Sequence, residues 1–356
     1  MLQFLRNPWV RWLFPLVVLG IVLFIFRDNL PFIAEGFMEL DDMAGRGMAL
    51  AIISSILALV AMAEVMYVFM RAGKVKVSRL QANALTFGSN AWSTSFPGGP
   101  AFATVLQYQI MNRWGAGPAI STWFLVLSST LSTLWLVALG VIAIIFLGAS
   151  LSLGSLLLTL AVLLALSALT YWASNNPDTL KRLLKPITSR TTGSINHHID
   201  QLKAAHMGFG TFLYAAAMSF LNWVFDIVTL VGAVWAVTYQ LPDIYGGENK
   251  TTIAGIALAF VTAKIAGTVQ VTPGGLGPVE AAMMGTLVAT GMTAAQAFSA
   301  VFIYRLISLG LITILGWIVY FFGFSSRGIR PQPEIKEHEE PVTREGRTTS
   351  TGESVD

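Results

Sequence analysis

The chain has 356 residues, of which 54% are hydrophobic and only 12% charged, and it contains no cysteine. Soluble domains carry about 25% charged residues, so this composition excludes an ordinary soluble enzyme and points to an all-α membrane protein. The formal charge of +3 does not mark a nucleic-acid partner, because the cations sit in loops beside apolar runs. Without cysteine there is no disulfide framework, thiolate metal site or cysteine nucleophile.

The apolar runs are, in chain order, 12–26, 48–70, 120–147, 151–173, 209–237 and 297–322. Most reach the ~20 residues that a helix needs to cross a bilayer. Arg6 and Arg11 precede the first run, which reads as an uncleaved span starting in the cytoplasm. Asp28, Glu35, Glu39, Asp41 and Asp42 then mark an outer loop, and Arg71, Lys74, Lys76 and Arg79 an inner one. Lys181, Arg182, Lys185, Arg190 and Lys203 place the long loop inside. Asp243 and Glu248 suit the outside, and Arg327 and Arg330 put the C-terminus inside. The expected location is therefore a plasma membrane (a bacterial inner membrane), multi-pass, with both termini cytoplasmic.

Two apolar but polar-flecked stretches remain, 80–113 and 251–290. Each is interrupted near its middle, by Pro97-Gly98-Gly99 and by Pro273-Gly274-Gly275. Proline removes a backbone donor and glycine admits positive φ, so both stretches predict broken helices. Each half is marginal for a full span, and re-entrant hairpins or pairs of short spans both fit. The motifs lie 176 residues apart, and the same offset carries Gly115 onto Gly291. The first is entered from a basic loop and the second from an acidic one, which predicts two inverted repeats. The domain expectation is an N-terminal span and outer loop (1–47), then a first membrane repeat (48–173) with hairpin 80–113. A basic cytoplasmic loop (174–207), a second repeat (208–323) with hairpin 251–290 and a disordered cytoplasmic tail (324–356) follow. Broken helices at matching places of two halves are a recurring sign of a carrier's binding site.

The string Pro273-Gly274-Gly275-Leu276-Gly277-Pro278-Val279-Glu280, with Arg305 in the next span, resembles the lysylphosphatidylglycerol synthase transmembrane-region family. Pro97-Gly98-Gly99 and Arg113-Trp114-Gly115 resemble that family's first half, and the likeness covers roughly residues 45–323. The family includes stand-alone members and the flippase half of the bacterial multiple peptide resistance factor. Pro278 stands where the family often has an aliphatic residue, and would stiffen the start of the return helix. Full-length synthases add a large soluble aminoacyltransferase domain, whereas the polar segment 331–356 cannot bury a core. The resemblance thus implies lipid movement without tRNA-dependent lipid modification, and the expectation is a protein that is not an enzyme.

Several residues could carry that movement. Lys264 and Arg305 are cations inside apolar sequence, where ionisable groups are costly and face a cavity or a partner. They could grip a lipid phosphate. Arg305 could equally pair with Glu280, and Lys264 with Asp226 or Glu64. Glu280, near a helix start, also suits capping. Gly98, Gly99, Gly274 and Gly275 could offer bare N–H groups to phosphate or simply permit close packing. Asn90, Ser93, Ser95, Gln270 and Thr272 offer neutral hydrogen bonds. Asp226, with Asn222 one turn before it, and Glu64 are candidates for ion coupling. His197, His198 and His206 read as a solvated loop, and neither metal nor cofactor is expected. The substrate expected is an anionic phospholipid or a polyprenyl phosphate. Further partners open to this reading are a second copy of the chain or a separate lipid-synthesising enzyme. Asp41-Asp42 leaves open an alternative, a membrane glycosyltransferase or an accessory subunit of a lipid-modifying enzyme.

Overall fold

The computed structural model describes residues 42–147, 161–162, 165–169, 172, 207–245, 247–268, 270 and 272–325. The expected first span, Asp41, most of the run 151–173, the basic loop with its three histidines and the tail lie outside the described residues, as does the side chain of Asp42. Elements appear in the order α1 (Asp42–Ala72), α2 (Arg79–Ser95), α3 (Gly99–Arg113), α4 (Pro118–Phe146), α5 (Phe209–Thr238), α6 (Ile253–Ala266), α7 (Pro278–Ala289), α8 (Ala294–Arg305) and α9 (Ile312–Tyr320). A π-helical stretch, Leu306–Leu311, joins α8 to α9 without a break in the helix. Among the described residues four helices are long and apolar enough to cross a membrane: Gly45–Ala72, Pro118–Phe146, Phe209–Thr238 and Ala294–Gly323. The protein is an all-helical, multi-pass membrane protein.

The short helices start where their sequences provide caps. The Ser78 side chain accepts from the Gln81 N–H at 3.2 Å while the Gln81 side chain accepts from the Ser78 N–H at 2.9 Å, opening α2. Thr252 caps α6 through the Gly255 N–H at 3.0 Å. Pro278 occupies the first turn of α7, where its missing donor costs nothing. The helices α2, α3, α6 and α7 have 17, 15, 14 and 12 residues. At ~1.5 Å per residue each is shorter than the ~30 Å hydrocarbon thickness.

Helices α1 and α5 pack along one another in opposite directions. Gly47 lies against Ala236 and Gly232, Ser54 shares a hydrogen bond with Thr229 at 3.0 Å, and the Asn222 amide donates to the Ala58 carbonyl at 2.8 Å. Tyr214 reaches Glu64 beyond them. A Cβ on Gly47 would stand 2.6 Å from the Ala236 nitrogen, so close backbone approach and interhelical hydrogen bonds hold this pair. Apolar packing forms two clusters. One surrounds Met66, Phe69, Leu85 and Phe124, and the other Leu230, Phe260, Leu287 and Tyr304.

The landmarks repeat along the chain. Helix α3 ends at Arg113 and α7 at Ala289; α4 begins at Pro118 and α8 at Ala294. Both intervals are 176 residues. The turns between are built alike: the Ala116 N–H donates to the Met111 carbonyl and the Met292 N–H to the Leu287 carbonyl. Gly115 and Gly291 hold positive φ within them, the left-handed helix ending that glycine favours. Gly98 and Gly274 have φ of 64° and 58°. Gly140 and Gly316, again 176 apart, are contact points. The first lies against Val261 of α6, and the second against the Phe87 backbone of α2.

The breaks differ in length. In the first only 96–98 separates α2 from α3, and the extra Cβ of any residue but glycine at position 99 would overlap the Ser93 carbonyl. In the second, α6 stops at Ala266, a 3-10 turn occupies Pro273–Gly275, and α7 starts only at Pro278. The interruption therefore begins well before the proline motif. The tips of the two hairpins meet: the Gly98 N–H donates to the Gln270 carbonyl at 2.8 Å.

Candidate functional site

A cavity of about 240 Å³ lies beside this junction. Asn90, Ser93 and Thr94 of α2 form one wall, and Ser55 of α1 with Asn222 and Asp226 of α5 another. Lys264 of α6, Gln270 and Gly274 of the second break, and Tyr304, Arg305 and Ser308 of the last span complete it. The sequence candidates thus fall into two sets. Lys264, Arg305, Asp226, Asn90 and Gly274 come together on one cavity, with Glu280 joined to it through Arg305. Gly98, Gly99, Gly275 and Glu64 do not line it.

Both cations have carboxylate partners. Lys264 sits in the last turn of α6, its Nζ 3.2 Å from Asp226 Oδ2. The same ammonium lies 5.2 Å from the Trp223 ring centre and 4.9 Å from that of Phe260, so two ring faces help offset its desolvation. Arg305 pairs through Nε with Glu280 Oε1 and donates from Nη2 to the Gly274 carbonyl at 2.6 Å. Glu280 accepts with its other oxygen from the Gly277 N–H at 2.6 Å. Capping and pairing, set out above as alternatives for Glu280, are both present. With the acids ionised, two cations and two carboxylates sum to zero. The fork of Arg305 thereby fastens the second tip, at a carbonyl and at the start of α7, to the last span.

The helix widens to a π-turn directly after Arg305. Such widenings occur often at functional sites. Leu309 within it seats against Gly274, where an added Cβ would overlap its methyl group. On the first hairpin the anchors are neutral. Thr94 shares a hydrogen bond with Thr313 at 2.7 Å, and the Trp317 indole donates to Ser95 at 3.1 Å. One helix, the last span, therefore holds both tips.

Three of the four glycine N–H groups considered as phosphate donors already have acceptors within the tips. The Gly98 N–H is given to Gln270, that of Gly99 to Phe96, and that of Gly275 to Thr272. Gly98 and Gly275 hold positive φ, and the three engaged N–H groups close the tips and join one to the other. Glu64 is likewise elsewhere. It pairs with Arg79 at 2.7 Å, with the Tyr214 hydroxyl at 3.5 Å, and Arg79 lies 4.9 Å from the Tyr67 ring centre. That cluster ties the start of α2 to α1 and α5.

Sequence reasoning passed over Tyr304, Ser55, Ser308 and the two rings on Lys264. Helical spacing carried a signal for the rings, since Phe260 is four residues before Lys264 and Trp223 three before Asp226.

The pattern of a charged cavity at paired helix breaks can be set beside known proteins. The lysylphosphatidylglycerol synthase TM region family matches residues 11–316. The chain belongs to that family. A relative, a UPF0104 membrane protein of Methanothermobacter thermautotrophicus, is 26% identical over 141 residues. The aligned stretch covers 40% of this chain and 38% of the relative's length. The stretch matching the lysylphosphatidylglycerol synthase TM region contains both hairpins and every residue of the cavity.

Proposed function

We propose that this protein is a non-enzymatic lipid carrier that moves an anionic headgroup, of a phospholipid or a polyprenyl phosphate, between leaflets. The observation that carries the proposal is the meeting of Lys264 and Arg305 on one polar cavity at the joined tips of two broken helices. A guanidinium presents a planar fork that suits phosphate oxygens, and a lysine adds a compact charge. Acyl or prenyl chains would stay in the bilayer while the headgroup crosses through the cavity. Membership of a lipid-related membrane family agrees with this reading.

The two halves act, in this proposal, as inverted repeats that rock against each other. Support comes from the 176-residue recurrence of helix ends, turns and contact glycines, and from the opposed directions of α1 and α5. Such repeats place a substrate site at their interface, and this cavity takes walls from both. Because each cation already has a carboxylate partner, phosphate must compete for it, which favours release as well as capture.

Reconstitution tests the proposal. Purified protein goes into vesicles with acyl-labelled phosphatidylglycerol or, separately, labelled polyprenyl phosphate. Faster leaflet exchange than in empty vesicles is expected for at least one probe. Equal rates for both would overturn it.

A further inference from the structure

We infer that the carrier is coupled to protons, one per headgroup, with Asp226 as the group that takes the proton up. The inference rests on the carrier reading above and adds its coupling ion.

The starting point is charge. Asp226 and Lys264 form an ion pair at 3.2 Å, Glu280 and Arg305 a second, and the cavity between them is formally neutral. A phosphate entering in its singly charged form, as a phosphodiester or as a phosphomonoester that keeps one proton of its own, would add one negative charge in a poorly hydrated place, which is costly unless compensated. Two carboxylates could supply the compensation by protonation, and their surroundings differ. Glu280 caps α7 through the Gly277 N–H and holds the tip through Arg305, so neutralising it would loosen the hairpin. Asp226 lines the cavity itself, and its ion-pair partner is a lysine on a flexible stem.

The groups around Asp226 make this exchange self-consistent. From α6 it faces Lys264, and from α8 Tyr304 and Arg305 line the same cavity. Its own helix contributes Asn222, while α1 and α2 bring the neutral side chains Ser55, Asn90, Ser93 and Thr94. When Asp226 binds a proton, the Lys264 ammonium loses its counter-ion and the cavity gains one positive charge. The phosphate oxygen then replaces the Asp226 oxygen on Nζ, and the total returns to zero. On the far side the proton leaves, the carboxylate recaptures Lys264, and the lipid is expelled. No charge moves across the membrane in the loaded step.

The same geometry argues against sodium. A metal cation at Asp226 would have to share the carboxylate with an ammonium 3.2 Å away, against strong like-charge repulsion at that range. A proton needs no coordination shell: on Asp226 it neutralises the carboxylate in place and adds one positive charge without crowding the ammonium.

The test uses the full chain in vesicles containing acyl-labelled phosphatidylglycerol or labelled polyprenyl phosphate, with empty vesicles as the baseline. A pH gradient of one unit, at equal sodium, should drive the transported probe to the alkaline leaflet in a ratio of about tenfold above the baseline. Which probe accumulates tells a glycerophospholipid from an isoprenoid source. Asp226→Glu should keep the accumulation on the alkaline side, and Asp226→Asn should lose it. The wild-type measurement stands even if a variant fails to fold. Exchange that ends even despite the pH gradient, or that follows a sodium gradient instead, would overturn the proton coupling and leave the carrier reading intact. Absence of exchange for both probes at every pH would overturn both.

Discussion

The two hairpins share a motif, a left-handed glycine at the same place and the same turn at their ends, yet differ in what surrounds the break. The first is closed within three residues and fixed by neutral hydrogen bonds, one shared by Thr94 with Thr313 and one accepted by Ser95 from Trp317 of the last span. The second opens over a longer interruption, is flanked by Lys264, Glu280 and Arg305, and is fixed by charge. A helix break is therefore an opening for a site rather than a site itself. What gives the second break its chemistry is the set of ionisable groups brought to it by three helices, while the first supplies a neutral wall.

The largest contrast should come from the anchors. Arg305→Ala leaves Glu280 unpaired and frees the Gly274 carbonyl; with Arg305 only 14% exposed, loss of such a pair costs about 3 kcal/mol. Leaflet exchange should fall by about 100-fold, with a lower melting temperature in detergent. Arg305→Lys keeps the charge but cannot span both acceptors, so exchange should recover only in part. Wild-type exchange in either variant would break the proposed contrast between the hairpins.

A smaller difference separates the matched glycines. At Gly98 an alanine meets open space, so only its left-handed backbone matters, about 1–2 kcal/mol. At Gly274 the same backbone cost is joined by overlap with Leu309, adding about 1–3 kcal/mol. Thermal unfolding should therefore rank Gly274→Ala clearly below Gly98→Ala.

Smaller still, Thr94→Val or Thr313→Val removes one shared hydrogen bond, about 0.5–1 kcal/mol in a membrane bundle. Exchange rates should stay close to wild type. The smallest effect is expected from Glu64→Gln, because Arg79 is 65% exposed and such pairs contribute little. A melting curve indistinguishable from wild type is the expected result.

Much of this arrangement was legible in the sequence because it depends on local chemistry. Length and apolarity mark the long helices α1, α4, α5 and the last span, and Pro-Gly-Gly marks both breaks. Glu280 and Arg305 stood out as charges in apolar surroundings. Other features depend on contacts between distant segments. Nothing near Lys264 in sequence selects Asp226 over Glu64, and Glu64 goes to Arg79 instead. The early end of α6 at Ala266 precedes its proline by several residues, with Gly267 as its cap lying close against Val279 of α7. The engagement of the Gly98 N–H follows from the meeting of the tips, which spacing alone does not reveal. Gly140 and Gly316 shared the repeat offset openly, but only packing gives them a purpose.

The central claim is that an anionic headgroup occupies the cavity between the neutral wall and the charged break. Because the chain has no cysteine, Ser93→Cys would introduce a single thiol on the neutral wall. Its rate of reaction with a small water-soluble thiol reagent should be measured in micelles supplemented with phosphatidylglycerol, with polyprenyl phosphate, or with phosphatidylcholine. Glu248→Cys, at an exposed position in the loop between α5 and α6, serves as the reference. The account predicts that at least one anionic lipid slows labelling at position 93 and not at 248, while phosphatidylcholine leaves both unchanged. Labelling at 93 that no anionic lipid slows more than phosphatidylcholine does would contradict it.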